Sequence, residues 1–116
     1  MNKYRNQKVK VGDMTFDSKK EFRRHRELKL LEIAGKISNL RGQVPYVLIE
    51  KSKYGRAIKY IADFVYEMDG KTIVEDVKSP ATRTQVYKLK KRMMAERYGI
   101  VIQETELWKI KKSITG

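Results

Sequence analysis

Ile58–Lys78, IKYIADFVYEMDGKTIVEDVK, decides how this chain of 116 residues folds. Asp69-Gly70 is a two-residue hairpin signal, because both residues tolerate the positive φ that a type I′ turn requires. It is flanked by two apolar runs rich in β-branched and aromatic residues, Ile58–Glu67 and Thr72–Lys78. Alternation sends Tyr60, Ala62, Phe64 and Tyr66 to one side of the first strand and Ile61, Asp63 and Val65 to the other. Apart from Asp63 both sides are apolar, as in a central strand. If the turn is closed by Met68 and Lys71, paired residue numbers add to a constant, and Val65 falls opposite Val74. Asp63 then falls opposite Asp76 at a non-hydrogen-bonded position, with Cβ atoms about 4.5–5.5 Å apart. Lys78, two residues on, points to the same side as Asp76.

Working outward, Ser18–Ala34 reads as a helix. Ser18 and Glu21 have capping-box spacing, Gly35 suits the C-terminal cap, and Phe22, Leu28, Leu30, Leu31, Ile33 and Ala34 predict a wide buried face. Val44–Glu50 reads as a strand with Pro45 near its start, followed by a basic loop, Lys51-Ser52-Lys53-Tyr54-Gly55-Arg56. Beyond the hairpin, Ser79-Pro80 ends the sheet. A second helix runs from Thr82 or Thr84 to Tyr98, with Val86, Leu89, Met93 and Met94 inward and Gly99 as terminator. Ile100–Gln103 reads as a buried strand. The tail from Glu106 is open between strand and helix, with core packing the preferred place for Trp108. At the other end, residues 1–13 form a basic arm, within which Lys8–Phe16 has the pattern of a small hairpin around Gly12-Asp13. Residues 14–116 make one α/β domain in the order α-β-β-β-α-β, with a mixed central sheet.

Composition narrows the chemistry. The chain has no cysteine and one histidine, His25, so thiolate sites, cysteine nucleophiles and histidine-cluster metal sites are excluded. His25 itself reads as a structural histidine or a phosphate contact. Any metal must be held by oxygen. Lys plus Arg is 27 against 14 acidic residues, a net charge of +13. An excess of this size on one small domain points to a polyanion. Nucleic acid is favoured over a membrane surface, because no basic amphipathic helix of interfacial type is present in the pattern. With no span-length apolar run and no signal-peptide pattern, the expectation is a soluble, intracellular protein.

Against that basic background, two opposed aspartates are conspicuous. Like charges placed directly opposite one another destabilise a sheet. A hard divalent cation between them accounts for the arrangement, since Mg²⁺ takes one or two carboxylates plus waters and substrate phosphate. Lys78 would stand beside it. The structural alternative is an Asp76–Lys78 ion pair next to a partly solvated Asp63. Cations that would track phosphates are Lys3, Arg5, Lys8 and Lys10 in the arm, Lys51, Lys53 and Arg56 in the loop, and Arg83, Lys88, Lys90, Lys91 and Arg92 around the second helix.

Asp63, twelve residues, then Asp76-Val77-Lys78 resembles the PD-(D/E)xK nuclease signature, and α-β-β-β-α-β is the core order of that restriction-endonuclease-like superfamily. Phe16-Asp17-Ser18-Lys19-Lys20-Glu21, Tyr60–Phe64 and Glu75–Lys78 further resemble small phage-encoded proteins of the group. In size the chain is similar to the archaeal-type Holliday junction resolvases. The resemblance covers residues 14–104. It departs at Ala62, where many members have proline, at Asp76, where glutamate is commoner, and at Leu89, where some relatives complete a QxxxY pattern from Gln85. Glu75 competes with Asp76 for the motif, but alternation sends it to the opposite side, suited to an ion pair with a helix cation.

The resemblance implies a DNA endonuclease. Asp63, Asp76, Lys78 and Glu21 would be the catalytic set, and Asp63, Asp76, Glu21 and the carbonyl of Val77 would hold Mg²⁺ or Mn²⁺. Glu21 belongs to this set by resemblance; by spacing alone it is a capping residue. A chain of this size leaves no room for a separate sequence-reading domain, so branched DNA is the expected substrate and a homodimer the expected state, in the host cytoplasm if phage-encoded. The rivals are a non-catalytic nucleic-acid-binding protein and a flap, single-strand or RNA nuclease of the same fold.

Overall fold

A computed structural model describes residues 9–11, 14–16 and 18–106. The central hairpin forms as its sequence predicts. β4 (Ile58–Met68) and β5 (Lys71–Val77) are antiparallel, with Met68 opposite Lys71 and Val65 opposite Val74. Asp69 and Gly70 have φ of 51° and 75°, as a type I′ turn demands. β4 is flanked by β3 (Ser38–Ile49) on its other edge, and β6 (Gln103–Thr105) runs parallel to β5, giving the order β3-β4-β5-β6. A hairpin of β1 (Val9–Val11) and β2 (Met14–Phe16) precedes the first helix. The boundary drawn after residue 13 falls between its two strands.

Helices cover both faces of the sheet. α1 (Lys19–Ile33) starts at Ser18, whose Oγ accepts from the Glu21 N–H at 3.2 Å. Its Leu28 packs with Ile37, Phe64, Tyr66 and Val77. α2 (Gln85–Tyr98) starts at Thr84, whose side chain accepts from the Tyr87 N–H, and ends on Gly99 at φ 66°. Its Tyr87 and Met94 pack with Leu48, Tyr60, Ala62, Val65, Val74 and Ile102. The result is one small α/β domain with an open mixed four-stranded sheet, in the order α-β-β-β-α-β after the opening hairpin.

Four expectations change. The apolar faces are narrower than expected: Leu30 and Ile33 of α1 and Val86 and Leu89 of α2 are exposed. On α2, Tyr87 takes the inward position because its hydroxyl can reach Glu104 as well as fill the core. β3 begins six residues early, at Ser38, through a polar stretch in which Asn39 and Gln43 have positive φ and no apolar alternation exists to read. Pro45 therefore lies within β3, tolerated because that strand is a sheet edge. β6 starts three residues late, at Gln103, and Val101 is exposed. Only there does the chain leaving α2 come alongside Glu75–Val77.

The fourth change concerns β4. Tyr60 and Ala62 belong to the core under α2, whereas Phe64 and Tyr66 belong to the core under α1. Alternation is therefore interrupted between Ala62 and Phe64, at Asp63. The β3 partners Gly42 and Val44 bracket the same point, where Gln43 has φ 53°. On the other side the β4–β5 ladder stops at Phe64–Glu75.

Candidate active site: paired carboxylates in a basic surface

That interruption makes the site. Because the ladder stops one residue short, Asp63 and Asp76 are not a cross-strand pair in regular sheet, as the register alone predicts. Asp63 instead turns into the gap between the diverging strands. Its Oδ2 accepts from the Val77 N–H at 2.8 Å, replacing the missing ladder bond. Asp76 Oδ2 accepts from the Tyr60 hydroxyl at 2.7 Å, and Asp76 Oδ1 lies 3.4 Å from Lys78 Nζ. All three charged side chains are buried, at 8%, 5% and 9% exposure for Asp63, Asp76 and Lys78.

Burial is the largest cause holding the Asp63 carboxyl far above the ordinary carboxylate range; hydrogen bonding to Asp76, its charge and that of Glu21 add to it, while the Val77 N–H works the other way. The Tyr60 hydroxyl is pushed up by burial and then by Asp76, so it remains a donor at any ordinary pH.

Lys78 is held from several sides. Its Nζ lies 3.7 Å from the centroid of the Tyr87 ring and 3.5 Å from the Thr82 carbonyl oxygen. The Tyr87 hydroxyl donates to Glu104 at 2.7 Å, and Glu104 is also bound by Lys91 at 3.1 Å and by Arg83 at 3.2 Å. Arg83 also contacts Glu106. Burial alone would raise the Glu104 carboxyl, but the hydrogen bonds from Tyr87, Lys91 and Arg83 outweigh it and hold the group low. Tyr60 and Tyr87 were not singled out by the sequence: Tyr60 reads as plain core, and Tyr87 falls outside the QxxxY pattern.

Asp63, Asp76, Val77 and Lys78 open onto one cleft of about 410 Å³, together with Glu21, Lys59, Ile61, Val86 and Lys90. Glu21 reaches it from α1, which packs on the face opposite Asp76. Glu75 goes the other way, as alternation predicts. It is fully buried under α1, bound by Arg24 through two nitrogens at 2.7 and 2.9 Å and by the Tyr66 hydroxyl at 2.7 Å. His25 stacks against Phe64 at 6.2 Å between ring centroids.

The expected phosphate contacts separate into groups. Lys90 lines the cleft, and Lys59, which the sequence did not suggest, joins it. Lys51, Lys53 and Arg56 are exposed in the loop leading into β4, and Lys88 and Arg92 are exposed on α2. Arg83 and Lys91 are engaged with Glu104. Lys3, Arg5 and Lys8 lie outside the described residues, as does Trp108; Lys10 is placed by its backbone in β1.

Among the described residues, no three of Asp, Glu, His and Cys stand together as a ready metal-ligand group. The fit of a cation therefore rests on the aspartate pair. Two buried carboxyls lining one cleft, each with one oxygen already held by a protein donor, suit a hard divalent ion that would relieve their repulsion. The ion pair of the structural alternative is present, but Asp63 is buried rather than solvated.

Fold and cleft together define a small α/β domain with an acidic pair and a lysine set at a break in its central hairpin. The chain belongs to the family described as "Protein of unknown function (DUF1064)", whose model matches residues 1–114. No curated protein and no solved structure matches it. Among the described residues, no helix is long and apolar enough to cross a membrane.

Proposed function

We propose that the protein is a metal-dependent endonuclease that hydrolyses DNA phosphodiesters, acting on branched DNA in the manner of a Holliday junction resolvase. The observation that carries this reading is the pair of buried carboxyls, Asp63 and Asp76, that lines one open cleft with buried Lys78 in a strongly basic chain. Asp63 and Asp76, with Glu21 and the carbonyl of Val77, would hold Mg²⁺, and Mn²⁺ would substitute. Such an ion supplies a more acidic water and neutralises charge on a phosphoryl group.

The chain's own residues do the rest. Tyr60 and the Val77 N–H fix one oxygen of each carboxylate, so the two are oriented before anything binds. Tyr87 and the Thr82 carbonyl hold the Lys78 ammonium next to Asp76, where it stabilises negative charge developing on the phosphoryl oxygens. Lys59 and Lys90 offset the charge of the incoming phosphodiester at the cleft. Paired cuts across a four-way junction need two such clefts, so the working form is a homodimer, acting where DNA is accessible, in the cytoplasm, that of the host cell if the chain is phage-encoded.

One observation favours the rival, a nucleic-acid-binding protein without catalysis: the Lys78–Asp76 ion pair already neutralises one carboxylate. Labelled duplex, flap, fork and four-way junction DNAs and matching RNAs, incubated with Mg²⁺ or with EDTA, separate the two. Cleavage is expected only with Mg²⁺, fastest on the junction, and lost in Asp76→Asn and Lys78→Ala. Junction binding with no cleavage of any substrate in Mg²⁺ or Mn²⁺ replaces the nuclease by the binding protein.

A further inference from the structure

The cleft is not polar all round. Ile61, 52% exposed, and Val86, 63% exposed, line it from two different elements, β4 and α2. Each has a lysine on its own element: Lys59 two residues before Ile61 along the strand, and Lys90 one helical turn after Val86. The same pairing of one cation with one branched aliphatic side chain therefore comes to the cleft of the acidic pair from each of two elements.

A stacked, fully paired duplex offers such walls little to bind beyond phosphate and sugar, because its base faces are covered. Apolar side chains beside a phosphate site gain burial when a base comes out of its stack, and inserted aliphatic wedges are a known means of unstacking DNA. Neither residue is aromatic, which fits a wedge rather than a stacking platform. The open cleft, about 410 Å³, has the volume of a site for a single small ligand.

From these features we infer that the cleft takes a locally unpaired nucleotide at the scissile phosphate, with Ile61 and Val86 against its base and sugar and Lys59 and Lys90 on the adjoining phosphates. The inference rests on the nuclease reading above and deepens it. The partner is DNA with a break in its base pairing, not regular duplex.

Two readouts test it. Two end-labelled duplexes, identical except for a two-nucleotide mismatch at one position, are cut with Mg²⁺ by the wild type and by the Ile61→Ser/Val86→Ser double variant. The wild type should cut at the mismatch at least about tenfold faster than the paired duplex, and the double variant should lose most of that ratio. Separately, binding to the same duplexes carrying 2-aminopurine at the mismatch is followed in EDTA with Asp76→Asn, alone and combined with the double variant. Tighter binding and a brighter probe on mismatched DNA are expected, both diminished by the serine substitutions. Equal rates or affinities on the two duplexes, or a preference unchanged by the serines, overturns the inference. If the wild type cuts the four-way junction but neither duplex, the inference is overturned and the nuclease reading stands; if it cuts no substrate at all, the nuclease reading fails, and the fluorescence result alone decides whether the cleft selects unpaired DNA.

Discussion

Asp63 concentrates the tension in this molecule. Its carboxyl is raised by burial and by Asp76, so the folded state holds a proton that the unfolded chain releases above the ordinary carboxylate range. Between that range and the raised folded value the native state binds more protons than the unfolded one, and stability must fall as pH rises. Asp63→Asn keeps an oxygen for the Val77 N–H and removes the titration. In EDTA its melting temperature should match the wild type near pH 4. By pH 8 the variant should exceed it by several degrees, on the order of 2 kcal/mol. Parallel melting curves from pH 4 to 8 would show that the folded state does not raise the Asp63 carboxyl. Adding Mg²⁺ at pH 8 should raise the wild type more than the variant.

At the scale of elements, α1 is tied to the sheet by one buried ion pair as much as by its apolar stripe. Arg24 grips Glu75 through two nitrogens, and Leu28 is the one fully buried apolar side chain of that helix. Arg24→Met leaves a carboxylate buried without its cation and should cost about 3–5 kcal/mol in urea unfolding. Adding Glu75→Leu removes the stranded charge and should restore at least half of that loss. If the two losses simply add, the pair is not the anchor. Because Glu21 enters the cleft from this helix, a loosened α1 should also weaken any dependence of melting on Mg²⁺. The helix itself was legible from Ser18, Glu21 and Gly35, and so was the possibility of a helix cation for Glu75. Which arginine or lysine reaches it was not, because Arg23, Arg24 and Arg26 are neighbours in sequence and differ only in the direction that the packed helix gives them.

For the whole molecule, the net charge of +13 dictates how it should meet DNA. If six phosphates are engaged, affinity should drop about 10³-fold between 50 and 200 mM salt. The structure divides two adjacent cations that composition treats alike. Lys90 lines the cleft, whereas Lys91 is held by Glu104. Lys90→Glu should therefore weaken DNA binding more than Lys91→Glu in fluorescence anisotropy at 100 mM salt. Equal losses would mean that the surface acts only as a diffuse field, and a flat salt response would move DNA binding off this face altogether.

Local turn, cap and alternation chemistry made the hairpin, its register from Met68–Lys71 to Phe64–Glu75, the start of α1 and the opposite facing of Glu75 and Asp76 legible in the sequence, and left the start of α2 between Thr82 and Thr84. It also brought Asp63, Asp76 and Lys78 to one place. Packing in three dimensions settled that Asp63 stands just past the end of the β4–β5 ladder, that Tyr60 and Tyr87 fix the charged pair, and that Val86 and Leu89 face outward. The physical reason is common to all three. Periodicity records which side of an element a residue occupies while the element stays regular. It does not record where a strand departs from its neighbour, nor which of two apolar stripes a helix turns inward when a tyrosine can satisfy both core and hydroxyl.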